Sequence, residues 1–392
     1  MFVHELCGSW MEHPFWRTQF LLEDAGDLAR LRGCGITELW IDTERGLDAG
    51  PRDDAPTRES ADLAIDHALQ QAATATTPKA TLQDEIERAR RLVRDARPAV
   101  ISMFNEARLG RAVDVQGAGA LVSRIRGAMM HSPAALLSVA RLKQADEYTF
   151  MHSVAVSGLM IALAQQLKLG EAEVHQAGLA GLLHDLGKAR VPDAILNKPA
   201  SLTDAEFATM RRHPELGHDM LLAQGNVDPE VLDVVLHHHE RVDGNGYPHA
   251  LGGDQIGLLA KMGAICDVYD AITSNRVYKP GWDPAEAVRK MAEWSKTHFD
   301  GALFQAFVKT VGIYPVGSLV RMESGRLGVV VDQCEASLLT PKVKLFFSTR
   351  SQLRITPEVV DLSRRGVHDR IAGREDPARW KFSNLDQLWL AG

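Results

Sequence analysis

The sequence lacks the features that mark several common protein classes. It has only four cysteines, and none stands at the short CxxC spacing of a zinc knuckle or a redox motif. It contains no apolar run of about 18 residues, the length that a membrane-spanning helix requires. The first residues do not show the basic and then apolar pattern of a signal peptide. These absences predict a protein of the reducing cytoplasm, with no disulfide framework and no membrane association.

Charge and glycine patterns exclude further classes. The formal net charge is −7, so nucleic-acid binding is not expected, and an anionic ligand would need a local basic patch or a metal ion. No P-loop or dinucleotide-binding glycine pattern is present. A length of 392 residues is sufficient for one domain with a sizeable core and one or two small domains.

Changes in composition and periodicity divide the chain into four regions. Residues 1–46 alternate helix and strand patterns, which predicts a small α/β domain. Residues 47–80 are rich in Ala, Thr, Pro and charge, as in a linker, and are a candidate for disorder. Residues 81–312 have helical periodicity, and residues 313–392 change to strand patterns, so a small β-rich tail is expected. The predicted fold class is mainly α.

Local signals support these boundaries. Thr203 and Glu206 have the spacing of a capping box, and Asp228 followed by Pro229 is typical of a helix start. The helix that begins there should run about ten residues and end near the three consecutive histidines 237–239. In the tail, Ser324-Gly325 separates two strand patterns and predicts a hairpin.

Polar residues stand in helices that are otherwise apolar. His184 and Asp185 are adjacent in LLHDLGK, and neighbouring helical side chains point about 100° apart, so they do not pair easily with each other. They can converge on one metal ion or on two ions side by side, and His238-His239 has the same geometry. His152 alone would be interpreted as a core histidine, and Asp267 alone as a costly buried carboxylate. One metal site explains all four positions.

The ordered motifs HDLGK, HHERVDGNGYP and DVYDAITSNRVYK resemble the HD-GYP family, helical HD-domain phosphohydrolases that cleave the bacterial messenger cyclic di-GMP. The resemblance covers roughly residues 130–310 and implies a helical-bundle catalytic domain. The opening segment is similar to a domain of unknown role that often precedes this catalytic domain.

The resemblance implies a set of metal ligands, which are His152, His184, Asp185, His213, His238, His239 and Asp267. Asp185 is expected to bridge two divalent ions. Five imidazoles and two carboxylates suit iron, manganese, zinc or nickel, and family precedent favours iron or manganese. Some members bind a third ion through a glutamate at the position of Tyr148, with Glu147 beside it here, so two ions are expected.

The same resemblance implies a metal-dependent cyclic di-GMP phosphodiesterase. A hydroxide bridging ions about 3.5–4 Å apart would attack phosphorus and release linear pGpG, with a slower second cut to GMP left open. Lys188 is expected to contact phosphate as a catalytic and substrate-binding residue. Arg276 and Lys279 would hold the other phosphate or a guanine edge. Tyr247 would stack on a base or pack locally.

Other residues have subsidiary expectations. Glu240 is predicted to orient a ligand histidine through its free ring nitrogen. Asp270 is assigned either to a helix surface or to a supporting position beside a ligand. His237 is not expected to be a ligand, and His175 and His218 are expected at the surface or behind the ligands.

Alternatives remain open at this point. The chain could be a cyclic di-GMP receptor with little turnover, or an HD phosphohydrolase acting on a deoxynucleoside triphosphate or a mixed cyclic dinucleotide. The loop 243–248 contains turn-forming dipeptides and could merely reverse the chain, whereas the resemblance implies a docking surface for diguanylate cyclase partners. A homodimer is left open.

Overall fold

The structure, a computed structural model, describes residues 1–6, 20–33, 39–47, 82–141, 148–198, 200, 202–274, 281–295, 297–334, 337–380, 382 and 385–390. The chain separates into two compact units, Met1–Lys79 and Ala80–Gly392. Most of the predicted linker, together with Glu147, Arg276 and Lys279, lies outside the described residues.

The first unit contains a small antiparallel sheet. Strand β1 (Phe2–Leu6) lies between β2 (Phe20–Leu21) and β3 (Leu39–Ile41), and helix α1 spans Ala25–Gly33. Val3 and Leu31 are its buried hydrophobic residues. The helix pattern DAGDLARLRGCG and the strand pattern ELWID coincide with α1 and β3, whereas β1 and β2 had not been expected.

The second unit begins with a helical bundle. Its helices are α2 (Leu82–Arg108), α3 (Val115–His131), α4 (Pro133–Arg141), α5 (Tyr148–Gln166), α6 (Glu171–Leu183), α7 (Asp193–Leu196), α8 (Asp204–Met210), α9 (His213–Leu222), α10 (Pro229–His237), α11 (Leu258–Thr273), α12 (Pro284–Trp294) and α13 (Gly301–Val311). Short 3-10 helices occupy Leu186–Arg190 and Gly253–Gln255. No helix in the described ranges is long and apolar enough to cross a membrane.

The predicted helix starts are present in the bundle. Thr203 and Glu206 form the capping box at α8, and the Asp228 side chain accepts a hydrogen bond from the backbone N–H of Glu230 at the start of α10. Helix α10 ends at His237, as its length predicted.

Helix α5 is the centre of the bundle. Its side chains from Phe150 to Ala164 are buried, and they pack against α4, α6 and α11. Full burial of one such leucine or isoleucine stabilises the fold by about 1.5–3 kcal/mol relative to exposure. Two glycines of α6 allow close approach to α5, because a Cβ on Gly181 would lie 2.9 Å from the backbone of Ser157. The close contact fixes the C-terminal end of α6 against α5.

The tail forms a five-stranded antiparallel sheet of order β7-β6-β5-β4-β8. Its strands are β4 (Leu319–Met322), β5 (Arg326–Asp332), β6 (Lys342–Ser348), β7 (Leu353–Asp361) and β8 (Ile371–Arg374), and short helices α14 (Pro377–Trp380) and α15 (Asp386–Leu390) follow. The predicted hairpin is confirmed, with Arg321 paired to Leu327 and Gly325 at a φ of 79° in the turn. Consecutive residues such as Val329 and Val330 are buried on opposite faces of the sheet.

These observations confirm the predicted fold class. The structure is mainly α-helical, with a small N-terminal α/β unit and a C-terminal antiparallel sheet.

Candidate metal centre

Five separate segments of the bundle bring the predicted ligands to one place. His152 is on α5, His184 follows the last residue of α6, and His213 is the first residue of α9. His238 and His239 follow the end of α10, and Asp267 is on α11. His184 and Asp185 therefore lie at a helix end, where the chain turns into the 3-10 helix, and not within a helix as predicted.

Asp185 lies at the centre of the cluster, and its two oxygens face different histidines. Oδ2 is 3.4 Å from Nε2 of both His152 and His184. Oδ1 is 3.3 Å from Nε2 of His213 and 3.9 Å from Nε2 of His238. The carboxylate is 1% exposed, so its position between two histidine pairs is removed from solvent.

A glycine permits this arrangement. A Cβ on Gly187 would lie 1.9 Å from the carbonyl oxygen of His213 and 2.6 Å from the backbone nitrogen of Gly217. The 3-10 helix that follows Asp185 therefore packs directly on the backbone of α9. Any larger residue at position 187 would push Asp185 away from His213.

Asp267 and His239 complete the cluster. Asp267 Oδ1 lies 3.0 Å from His152 Nε2 and 3.9 Å from His184 Nε2, and its Oδ2 lies 3.8 Å from His239 Nδ1. The His239 side chain is 21% exposed, whereas the other four histidines are almost fully buried. The cluster therefore opens toward solvent at His239.

Hydrogen bonds at the outer nitrogens orient the other four rings. Nδ1 of His184 donates to the Gly181 carbonyl at 2.8 Å, and Nδ1 of His213 donates to the Met210 carbonyl at 2.9 Å. His238 Nδ1 lies 3.1 Å from the carbonyls of Val234 and Val235. Because a carbonyl only accepts, the proton is on Nδ1, and in a neutral ring Nε2 then carries a lone pair. These lone pairs point into the cluster.

His152 has a carboxylate in place of a carbonyl. Its Nδ1 lies 2.6 Å from Asp270 Oδ2, and Asp270 is 3% exposed. Asp270 is therefore buried behind a predicted ligand, which decides between the two positions left open for it. The sequence signal was the DxxD spacing, since Asp267 and Asp270 are three residues apart and lie on one face of α11.

The environment sets the charges of the cluster. Burial alone would raise the pKa of Asp185 and of Asp267, but Lys188 and His184 near the first and His152 near the second hold both well below their usual range. Burial lowers the pKa of His239 to about 3, and burial with neighbouring imidazoles lowers that of His238. Both carboxylates are ionised at neutral pH, and these two imidazoles are neutral.

His152 differs from the other histidines. Burial would lower its pKa, but hydrogen bonds to Asp185, Asp267 and Asp270 raise it to about 10. Without a metal ion, the His152 ring therefore holds a proton at neutral pH. That proton occupies the position a cation would take between His152 and the carboxylates.

The cluster has the donor set that a divalent cation requires. Nε2 of His213 and Nε2 of His238 lie 3.3 Å apart, and both face Asp185 Oδ1. That oxygen is buried and accepts no hydrogen bond, a condition shared within the described ranges only by the hydroxyls of Ser153 and Ser318. Three groups that only accept are stable together when a cation lies between them. The ligand atoms also group within 4.8 Å in three overlapping sets, which are Asp185 with His213, His238 and His239; His152 with His184 and Asp185; and His184 with His238 and Asp267.

Lys188 lies beside the cluster. Its Nζ donates to Asp185 Oδ2 at 2.5 Å, and its side chain is 24% exposed. The ammonium is thus neither fully buried nor free in solvent, and it reaches both the carboxylate and the solvent-facing side. The predicted phosphate contact is compatible with this position.

The loop after the histidines is held by its own side chains. Glu240 is buried and accepts from the backbone N–H groups of His249 at 2.7 Å and Leu251 at 3.0 Å. The prediction that Glu240 orients a ligand histidine is therefore wrong, because both of its oxygens fix the loop. Asp243 accepts from the Arg241 guanidinium and from the Asn245 backbone N–H. A Cβ on Gly246 would lie 2.5 Å from the Glu240 Cα, so the loop folds tightly against its own start.

The three histidines that were not expected to be ligands lie outside the cluster in the described structure. His237 contacts Asp233 at 2.7 Å and His249 at 3.0 Å, and it is not among the grouped ligand atoms. His218 lies 3.3 Å from Asp219, and His175 is half-buried near Gly119. The side chain of Tyr148 is not described, so the expectation about a third ion is not addressed.

Comparisons with known proteins match two regions of the chain to protein families. Residues 1–118 match a domain of unknown function, DUF3391, and residues 128–303 match the HD domain. Cyclic di-GMP phosphodiesterase PA4108 of Pseudomonas aeruginosa is 55% identical over 390 residues, which are 99% of this chain and 92% of that protein.

Two further relatives match a smaller share of the chain. The cyclic di-GMP phosphodiesterase response regulator RpfG of Xanthomonas campestris pv. campestris is 41% identical over 153 residues, 37% of this chain and 40% of that protein. The 3'3'-cGAMP-specific phosphodiesterase 2 of Vibrio cholerae is 34% identical over 148 residues, 38% of this chain and 28% of that protein.

Proposed function

Because this chain belongs to the HD-GYP family of HD-domain proteins, we propose that it is a metal-dependent phosphodiesterase that hydrolyses cyclic di-GMP to linear pGpG. The observation that carries the proposal is the cluster of inward-facing acceptors around Asp185. The extended similarity to a cyclic di-GMP phosphodiesterase, over nearly the whole of both chains, supports the choice of substrate.

Asp185 is proposed as the ligand shared by two ions. Its Oδ2 faces His152 and His184, and its Oδ1 faces His213 and His238, so each oxygen belongs to a different half of the cluster. Asp267 would join the half that contains His152, and His239 the solvent-facing side. Divalent ions bound there would activate water at neutral pH and polarise the phosphate oxygens.

The residues of the chain have separate roles in this proposal. The backbone carbonyls at 181, 210 and 234 keep each ring in the tautomer that presents Nε2. Lys188 would donate to a phosphate oxygen once Asp185 is bound to metal. Its positive charge would lower the repulsion between the anionic substrate and the two carboxylates. Asp270 would hold the His152 ring in position.

Five imidazoles and two carboxylates form a mixed nitrogen and oxygen donor set. Such sets favour transition metals over calcium or magnesium, and we propose iron or manganese, with zinc or nickel as the alternatives. The second cut to GMP, the cytoplasmic location, the homodimer and the docking of diguanylate cyclases at loop 243–248 stay predictions.

A mixed cyclic dinucleotide is the second candidate substrate. The specific observation in its favour is the similarity of 38% of this chain to a 3'3'-cGAMP-specific phosphodiesterase. Both substrates are cyclic dinucleotides with two phosphodiester bonds, so the same cluster could cleave either.

The test is turnover of a substrate panel by protein loaded with Mn²⁺ or Fe²⁺. Cyclic di-GMP, 3'3'-cGAMP and a deoxynucleoside triphosphate are incubated separately, and products are separated by chromatography. The proposal expects pGpG from cyclic di-GMP as the fastest reaction. Binding of cyclic di-GMP with no product under either metal would instead assign the chain as a receptor.

Lys188→Ala tests the phosphate contact. The KM for cyclic di-GMP should rise and kcat should fall, while metal content stays unchanged. Lys198→Ala is the control, since Lys198 pairs with Glu206 at the surface. Loss of metal in Lys188→Ala would show that Lys188 supports the cluster rather than the substrate.

A further inference from the structure

Tyr247 lies next to the exposed side of the metal centre. Its ring stacks on His239 with centroids 4.7 Å apart and planes inclined by 29°. His239 is the solvent-accessible histidine of the cluster, so the Tyr247 ring marks the entrance that a substrate would use. The side chains around this ring are therefore in reach of a bound substrate.

Arg211 is one of these side chains. Its Cζ lies 4.5 Å from the centroid of the Tyr247 ring and 6.0 Å from that of Phe207, four residues earlier and one helical turn away. Phe207 is 51% exposed, so its ring lies at the surface. Both rings lie within cation–π distance of the guanidinium, next to the entrance.

Two cations of the described residues, Lys188 and Arg241, are already paired with carboxylates. Lys188 donates to Asp185, and Arg241 forms a two-point contact with Asp243. In the part of the chain that the structure describes, Arg211 has aromatic contacts and no carboxylate within ion-pair distance. A cation–π contact does not use the guanidinium N–H donors as an ion pair would, so they are available to an anionic ligand.

We infer that Arg211 is a specificity-determining residue that binds the phosphate of the cyclic dinucleotide that is not being cleaved. The inference rests on the proposed function. One phosphate occupies the metal centre, and the second is an anion beside Asp185 and Asp267 in a chain of net charge −7. A guanidinium fork that is already oriented matches two phosphate oxygens at little entropic cost.

The experiment compares two substrates, cyclic di-GMP and bis(p-nitrophenyl) phosphate, which has a single phosphodiester and no second phosphate. In metal-loaded Arg211→Ala, the KM for cyclic di-GMP should rise roughly tenfold to one-hundredfold, the range for a hydrogen bond to a charged group. Turnover of bis(p-nitrophenyl) phosphate and metal content should stay at the wild-type level. Arg212→Ala is the matched control, because it removes the adjacent arginine and should leave both KM values unchanged.

Two further variants examine the role of the rings. Arg211→Lys keeps the charge without the planar fork, so it should recover part of the lost affinity. In Tyr247→Ala the guanidinium loses its closest ring, so the effect of Arg211→Ala should be smaller in that background than in the wild type. Full additivity of the two substitutions would contradict the assigned geometry.

The outcomes separate the inference from the proposed function. If the wild type does not cleave cyclic di-GMP, the proposed function fails. If the wild type cleaves it and Arg211→Ala behaves like Arg212→Ala, the function stands and the inference is overturned. A loss of metal, or an equal loss with both substrates, in Arg211→Ala also overturns it, because the residue would then support the cluster.

Discussion

The helical bundle and the C-terminal sheet bury different kinds of side chain. The described part of the sheet region buries valine, leucine and phenylalanine on both faces, and its buried polar residues are Ser318 and Glu375, the latter paired with Arg321. The bundle buries a group of ionisable residues around one point, Asp185. Because an unpaired buried charge is costly, such a group is maintained only where a cation or a reaction requires it. The contrast separates a region that performs chemistry from a region whose interior serves stability.

The largest expected effect is that of Asp185→Ala. Both halves of the cluster lose their shared ligand, so activity should fall by more than ~100-fold, beyond the usual cost of altering residues behind a metal ligand. The helical content by circular dichroism should stay close to that of the wild type. The control is Asp332→Asn, a half-exposed carboxylate of the sheet that pairs with Lys342, and it should change neither activity nor metal content. Wild-type turnover in Asp185→Ala would contradict the bridging role.

A large-to-small substitution in the sheet should act on stability alone. Leu345 is fully buried on β6, so Leu345→Ala should lower the free energy of unfolding by about 2–5 kcal/mol. Denaturant unfolding measures the loss, and metal bound per folded molecule should not change. A fall in metal content at temperatures where the protein is folded would show that the sheet and the cluster are coupled.

Asp270→Asn should have an intermediate effect that is confined to the bundle. An amide cannot provide the charge that stabilises the His152 ring, so metal affinity should fall about 10- to 100-fold. Titration against a competing chelator measures it. Asp233→Asn is a suitable control, since Asp233 pairs with His237 outside the cluster. Equal metal affinities in the two variants would show that Asp270 does not support the metal centre.

A further expected effect, which needs no substitution, is a pH dependence of metal binding. With its pKa raised to about 10, His152 holds a proton in the metal-free protein, and a metal ion must displace it. Apparent affinity should therefore rise with pH, by about tenfold per pH unit between pH 7 and 9, where the metal-free ring is protonated and the metal-bound ring is not. Calorimetry in buffers of different ionisation enthalpy should show about one proton released at pH 7.5. Binding that is independent of pH would mean that the metal ion does not displace a proton from His152.

Sequence patterns predicted the elements whose signals are local. The capping box at Thr203, the helix start at Asp228 and the hairpin at Gly325 each depend on a few adjacent residues, and all three are present. Polar side chains in apolar segments indicated His152, Asp267 and the pairs at 184–185 and 238–239, and the resemblance to the HD-GYP family added His213. Their roles as ligands stay predictions, but the structure brings all seven side chains together.

Other features had no local signal. The partners that orient His184 and His213 are backbone carbonyls, which no residue type reveals. Glu240 was assigned to the wrong partner because its contacts depend on how the following loop folds back. Arg211 meets Tyr247 across 36 positions of sequence, a contact that only the packing of α8 against the loop produces.

Metal analysis of protein purified without added metal, compared with its turnover of cyclic di-GMP, tests the central claim most directly. We predict close to two equivalents of iron or manganese in the wild type and activity that follows metal content. Asp185→Ala should lose both the metal and the activity. Full turnover by protein that contains far less than one equivalent of any divalent metal would contradict it.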